Sequence, residues 1–303
     1  MKNYAHVENL YKPRAQTVLL FKEVYILEKI HGCFASVIWK PTEGELTFTS
    51  GNKSPVNFLK LFNQVDLIAK LKEYIQPGAV QVTICGEAYG GGAEKMSATY
   101  GKELKFVAFD VCIINIEHHD GEGLWLSVHD AAELVAKLGL EFVHFAKVPA
   151  TLEALNVERD AESVQAIRNG MGPGKRREGI IIRPLVEMTG NNGERICVKH
   201  KRDEFMETKT PREVDPAQLK VLSDAQAIAE EWVTPMRLTH VLAKIPGHNM
   251  EKMPEILRAM VEDVLREGAG ELVDTKEARR AITSKTAKMY KEFLQSSLQD
   301  IHA

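Results

Sequence analysis

The chain has 303 residues, 44% hydrophobic and 27% charged, so it carries enough apolar material for a sizeable core and enough length for two domains. Its net charge of −3 neither indicates nor excludes a nucleic-acid partner, because a local basic face decides that question. No run approaches the roughly 18 apolar residues of a membrane span, and Met1 to His6 form no apolar signal segment, so the expectation is a cytoplasmic protein (of the host cell, if viral), without a membrane partner and monomeric.

Residues 1–23 read as a lead-in with one proline, Pro13, and no glycine. Val24 to His31 is rich in β-branched and aromatic residues and predicts a strand. A second strand resumes at Phe34, Val37, Ile38 and Trp39, and strands continue to Phe48 across a turn at Pro41–Gly44. Ser50–Pro55 is a turn cluster. Apolar residues from Phe58 to Ile75 recur at helical spacing until Pro77-Gly78 ends them. Val80–Glu87 and Phe106–Ile114 predict strands, separated by the glycine loop Ala88–Gly92. Val128–Leu138 predicts a helix that starts near Ser127 or Asp130, and Leu152–Arg168 predicts one or two more. A loop follows at Gly170–Arg177, then a strand at Glu178–Pro184, a hairpin turn at Gly190–Gly193 and a strand at Arg195–Lys201. From Pro216 onward only helical patterns occur, at about 216–233, 236–244, 250–268 and 276–298, with Asn249 and Asp274 as candidate caps. The change of texture places a domain boundary at 212, giving domains 1–212 and 213–303.

Lys29 is the anomaly. An ammonium in a strand that should be buried must be paired, neutralised or held in a cleft, and a lysine in such surroundings can act as a nucleophile. Taken alone it reads more readily as a strand-edge lysine with its charged end in solvent. Four further features need an explanation alongside it. Glu87 closes a strand before a glycine loop, Phe109 lies within an apolar strand, Glu178 opens a strand after a basic loop, and Lys199 and Lys201 lie two apart on one strand face. Separately, these could be a surface carboxylate, a core ring, a strand-end pair with Arg176 or Arg177, and a charged sheet edge. One site for a nucleotide and a metal accounts for all of them, since an anion between the two lysines relieves their repulsion.

Glu28-Lys29-Ile30-His31-Gly32, Gly86-Glu87-Ala88-Tyr89-Gly90, Phe106-Val107-Ala108-Phe109-Asp110, Glu178-Gly179-Ile180-Ile181-Ile182-Arg183-Pro184 and Val198-Lys199-His200-Lys201 resemble, in order and approximate spacing, the motifs of the covalent nucleotidyltransferases. These are the ATP-dependent RNA and DNA ligases and the mRNA capping enzymes. Within them the chain most resembles the bacteriophage RNA ligase 2 family, which includes the kinetoplastid RNA-editing ligases. The resemblance implies an α+β fold, an antiparallel-sheet nucleotidyltransferase (ATP-grasp-like ligase) domain followed by an all-helical C-terminal domain. It implies ATP as AMP donor, with Mg²⁺ or Mn²⁺, and a nicked RNA duplex or RNA-containing hybrid as partner in RNA repair. Lys29 would attack the α-phosphorus of ATP and expel pyrophosphate. AMP would pass to an RNA 5′-phosphate, and a 3′-OH would displace it. Lys199, Lys201 and the cation would lower the pKa of Lys29 and stabilise phosphoryl charge. Glu178 would bind the metal, Phe109 would stack on adenine and Glu87 would bond a ribose hydroxyl. Glu28 and the Ile30 backbone would touch the adenine edge, and His31 would act after adenylylation. Two positions depart from the family pattern. Cys33-Phe34 stand where Thr-Asn is common, and Ser50–Pro55 offers Asn52 and Lys53 where an arginine is common.

Other candidates are weaker. Gly170-x-Gly172-x-Gly174-Lys175 lacks the phosphate-loop spacing and precedes a strand. His118-His119-Asp120 suits a metal by composition only. The four cysteines are singly placed, with no Cys-x-x-Cys, and read as reduced thiols in or beside apolar runs. Arg237, Lys244, Lys252 and Arg258 are basic candidates for contacting a duplex. The rival readings are a DNA ligase or GTP-using capping enzyme, and a non-catalytic RNA-binding protein that keeps the fold.

Overall fold

The strand-forming runs of the first two-thirds pair into two five-stranded sheets. The computed structural model describes residues 4–12, 14–51, 55–93, 96–115, 123–190, 193–210, 214 and 224–299. It divides into two units, Met1–Lys201 and Arg202–Ala303. The boundary expected at 212, the His118-His119-Asp120 group, and Asn52 and Lys53 lie outside the described residues.

In the first unit, one sheet has the order β1 (Glu8–Asn9), β10 (Val198–Lys201), β9 (Gly179–Pro184), β2 (Glu23–Lys29), β8 (Phe145–Pro149), antiparallel except for β1 against β10. The other has the order β4 (Glu45–Ser50), β3 (Cys33–Lys40), β5 (Ala79–Tyr89), β6 (Lys105–Asn115), β7 (Leu124–Trp125), all antiparallel. β2 is an interior strand covered on both faces, which is why Val24–Leu27 is a continuous apolar run without alternation. Consecutive strands β2 and β3 belong to different sheets, and Ile30-His31-Gly32 makes the crossing. A Cβ at Gly32 would lie 2.6 Å from the Ala88 carbonyl oxygen, so only glycine lets the crossing press against β5. Residues 141–144 stitch the sheets together. The Ala108 N–H donates to Glu141 O (2.8 Å), the Val143 N–H donates to Ala108 O (2.8 Å), and the Glu28 N–H donates to His144 O (2.8 Å).

Leu27, Val37, Val82, Ile84, Val107 and Val111 form the core with α2 (Gln64–Tyr74) and α4 (Val128–Lys137). The single helix expected over 58–75 is two, α1 (Pro55–Leu59) and α2, because the Asn63 side chain accepts the Asp66 N–H and starts a new helix. Of the two candidates for the start of α4, Ser127 caps it, its Oγ accepting the Asp130 N–H. Strands β1, β7 and β8 were not anticipated. α3 (Ser97–Tyr100), α5 (Leu152–Arg159) and α6 (Val164–Arg168) complete the unit. The cysteines form no disulfide, Cys33, Cys85 and Cys112 being buried and Cys197 half-buried.

The named α-helices of the second unit are α7 (Ala225–Trp232), α8 (Pro235–Leu242), α9 (Met253–Glu267) and α10 (Lys276–Gln299), packed around Ile228, Trp232, Val241, Ile256, Met260 and Ile282. Thr275, not Asp274, caps α10, its Oγ1 accepting the Ala278 N–H at 3.0 Å, while Asp274 pairs with the exposed Arg279. Asn249 caps the short turn before α9. Arg237 is not a surface cation. It is 1% exposed, its Nη1 lies 2.6 Å from Asp263 Oδ2, and its Nε donates to Trp232 O. Burial opposes ionisation of Asp263, but Arg237, Lys244 and Arg266 overcome it and hold the carboxyl below its ordinary value. Lys244 and Arg258 are exposed, and Lys252 pairs with Glu255. Asp263→Ala removes the closer carboxylate of the buried guanidinium, leaving Glu207 at 3.5 Å, and is expected to cost about 3 kcal/mol. Urea unfolding should show the midpoint fall sharply, whereas Asp274→Ala at the exposed pair should leave it nearly unchanged.

Candidate active site

Register brings the expected residues together. In the first sheet Lys201 and Lys29 are the Cα partners of Gly179 on its two sides, so Lys201, Gly179 and Lys29 form one row across β10, β9 and β2. Residues in a row share a face, and the glycine leaves the space between the lysines open. The preceding residue, Glu178, fills it. Its Oε2 lies 2.8 Å from Lys29 Nζ and 3.2 Å from His31 Nδ1, and its Oε1 lies 2.9 Å from Lys201 Nζ. Glu178 and Lys201 are buried, while Lys29 keeps 24% of its side chain exposed, so the cluster opens to solvent at the lysine of β2. Burial opposes ionisation of Glu178, yet Lys201, Lys29 and His31 outweigh it and hold its carboxyl well below the usual range.

Gly179 is what permits this. Its φ is +156°, and a Cβ there would meet the His200 carbonyl oxygen at 2.2 Å. Lys199 lies two residues from Lys201 on the same face, in the row of Ile181 and Leu27. His200 alternates to the other face, where its Nε2 lies 2.7 Å from Asn156 Oδ1. Burial, aided by Arg159, lowers its pKa to about 4.

Glu87 is opposite Phe34 in the second sheet, half-buried, with its Cγ against Gly32. Phe109 is the extra residue of a β-bulge, because β5 pairs Cys85 with Asp110 and then Gly86 with Ala108. The bulge turns its ring towards Phe34 (6.3 Å) and Tyr4 (5.4 Å). Glu28 is placed apart from the lysine cluster. It alternates to the opposite face of β2, where Ser163 Oγ (2.6 Å) and the N–H groups of Val164 (3.0 Å) and Gln165 (3.2 Å) donate to its carboxylate at the start of α6. Its side chain therefore secures a helix. The Ile30 side chain is buried in the core, and its backbone forms part of the sheet crossing.

Two supports escaped the sequence reading. The Tyr100 hydroxyl accepts the His31 N–H at 3.4 Å. Beneath Phe109, the fully buried Asp110 takes Arg183 at 3.1 Å, Arg195 at 2.7 Å and the Tyr4 hydroxyl at 2.9 Å, and Glu187 pairs with both arginines. Arg195 stacks over Trp125 at 4.0 Å. The available signal was a charge within an apolar strand, the same one that singled out Lys29.

Glu178→Gln removes the buried negative charge that Lys29, His31 and Lys201 share, and a loss of roughly 3–5 kcal/mol in urea unfolding is expected. Gly179→Ala forces β10 away and should lower the melting temperature. For His200 the folded pKa lies below the unfolded one, so the unfolded chain takes up the proton first. Stability should fall as pH drops from 6.5 towards about 4, by on the order of 3 kcal/mol from this group, and the fall should be shallower in His200→Gln.

Residues 22–201 match the family model described as RNA ligase. No curated protein matches. Among solved structures, a Naegleria gruberi RNA ligase mutant with AMP and manganese is 13% identical over 67% of this chain and 56% of its own, with a TM-score of 0.49. A second mutant with ATP and manganese gives 13%, 67%, 57% and 0.49, and the same ligase with pyrophosphate gives 14%, 67%, 56% and 0.49. This chain thus spans a little over half the length of those proteins.

Proposed function

Because the chain belongs to the RNA ligase family, we propose that it is an ATP-dependent ligase joining RNA 3′-OH and 5′-phosphate ends through lysyl-AMP and RNA-adenylate intermediates. The observation that supports this most directly is the row Lys201, Gly179, Lys29 closed by the buried Glu178 carboxylate. A binding protein has no need of a nucleophilic amine at the mouth of a buried charge cluster.

The residues fit a divalent cation of the magnesium type. Such an ion takes oxygen ligands, commonly one or two carboxylates completed by water and phosphate oxygens. Glu178 is ionised, and its buried Oε1 receives no aligned hydrogen bond among the described residues. Glu178 would hold the cation, which would supply positive charge for the phosphoryl oxygens.

Lys29 Nζ is the group that attacks the α-phosphorus of ATP in line with the departing pyrophosphate, and it must do so as the free amine. Its Nζ lies 2.8 Å from Glu178 Oε2, so that contact has to part before attack. The N–P bond forms as the bond to pyrophosphate breaks, and the amine proton passes to solvent through the exposed side of Lys29. Lys201 and Lys199, on the same face, place positive charge where the phosphoryl oxygens accumulate negative charge. Phe109 offers its ring to the base, and Glu87, beside Gly32, offers an acceptor to the ribose. His31 is positioned through Tyr100 for the later step, in which AMP passes to the RNA 5′-phosphate. A 3′-OH then attacks that phosphate and releases AMP. We take the natural substrate to be a nick in duplex RNA or an RNA-containing hybrid, and Arg202–Ala303 to be the all-helical domain of a monomeric enzyme.

Incubation with ATP and Mg²⁺ without nucleic acid should add one AMP to the intact mass of the wild type and nothing to Lys29→Ala. Glu178→Gln and Lys201→Gln should lower the rate at least a hundredfold. A GTP adduct in place of the AMP adduct would redirect the reading to capping chemistry. Folded, unmodified wild-type protein that gains neither nucleotide would falsify it.

A further inference from the structure

α10 carries six basic residues, Lys276, Arg279, Arg280, Lys285, Lys288 and Lys291, against two acidic ones, Glu277 and Glu292, in a chain whose net charge is −3. Two of the cations are committed. Arg279 is held by Asp274 (2.7 Å) and Lys285 by Glu230 (2.8 Å). The other four are exposed and have no ion pair among the described residues. Their spacing is ordered. Lys276, Arg280, Ser284 and Lys288 follow one another at i, i+4, and Lys291 lies one turn beyond, so they form one ridge. At 1.5 Å per residue the ridge runs about 22 Å. Ala278, Ile282, Thr286 and Tyr290 on the opposite side are buried, which fixes this face outward within the unit. The small residue Ser284 sits within the ridge, so an extended partner can approach the helix between the cations.

Unpaired cations in a line repel one another, and a helix with this pattern has no use for them in its own packing. A row of evenly spaced anions suits them, and the phosphodiester backbone is such a row. We propose that the outward face of α10 is a docking surface for the phosphate backbone of the RNA substrate, with Lys276, Arg280, Lys288 and Lys291 contacting phosphates and no base. The inference rests on the RNA ligase reading. It assigns RNA contact to a ridge separate from the lysine cluster and from Arg237, which is buried in an ion pair.

The test is the salt dependence of binding to a nicked RNA duplex, without ATP, for the wild type and for the variant Lys276→Gln, Arg280→Gln, Lys288→Gln, Lys291→Gln. Each phosphate contact contributes about 0.9 to the log–log salt slope on a duplex, so losing four should flatten it by roughly 3–4. Between 50 and 200 mM salt the wild type should therefore lose about a hundredfold more affinity than the variant. Circular dichroism and thermal melting establish that the variant is folded. Lys288→Glu with Lys291→Glu is the second variant, and should weaken binding at least tenfold at low salt. Self-adenylylation of the wild type, measured in parallel, reports on the ligase reading separately. A wild type that adenylylates itself and binds RNA, beside a folded variant whose slope differs by less than one, overturns the ridge alone. An unchanged RNA slope with lost binding of polyglutamate also overturns it and points to an acidic polypeptide partner.

Discussion

One buried carboxylate sets the terms for the first unit. Glu178 is almost wholly removed from water, and its charge is sustained only because two ammonium groups and an imidazole surround it. Taking any of these ions into the interior alone would cost several kcal/mol, so the strands that carry them must meet in one register. The register in turn depends on Gly179, whose missing side chain lets β10 close on β9. Sheet geometry and site chemistry are therefore one constraint. A slip of one residue in either strand would send a lysine to the wrong face.

The second unit solves a similar problem differently. Arg237 and Asp263 neutralise each other between α8 and α9, with Trp232 supplying a backbone oxygen and its ring face. This pair spends its charge on packing, whereas the ridge on α10 leaves its charge outward. The contrast is visible only in burial, since arginine and lysine in amphipathic helices look alike in a sequence.

Much of the arrangement was legible beforehand because its signals were local. Branched runs gave most of the long strands, and Lys29, Glu178, Lys199 and Lys201 stood out as charges within or beside them. β8 was not legible, since Phe145–Pro149 is short and contains Lys147 and Pro149. The break at Asn63 was hidden by helical spacing that continues through it, although a capping residue was present. The role of Glu28 could not be read from its neighbour. Alternation says that it faces away from Lys29 but not that the start of α6 awaits it there. Asp110 is far in the chain from Arg183 and Arg195, and only folding pairs it with them.

The anchoring of Glu28 bears on how the neighbouring lysine can travel. Its N–H is tied to His144, its carboxylate to the first turn of α6, and the next strand pairs Lys29 with Gly179. The backbone at Lys29 is thus pinned on three sides. Any excursion of the amine must come from rotation about its own side-chain bonds, so on the proposed reading ATP is delivered to a stationary pivot.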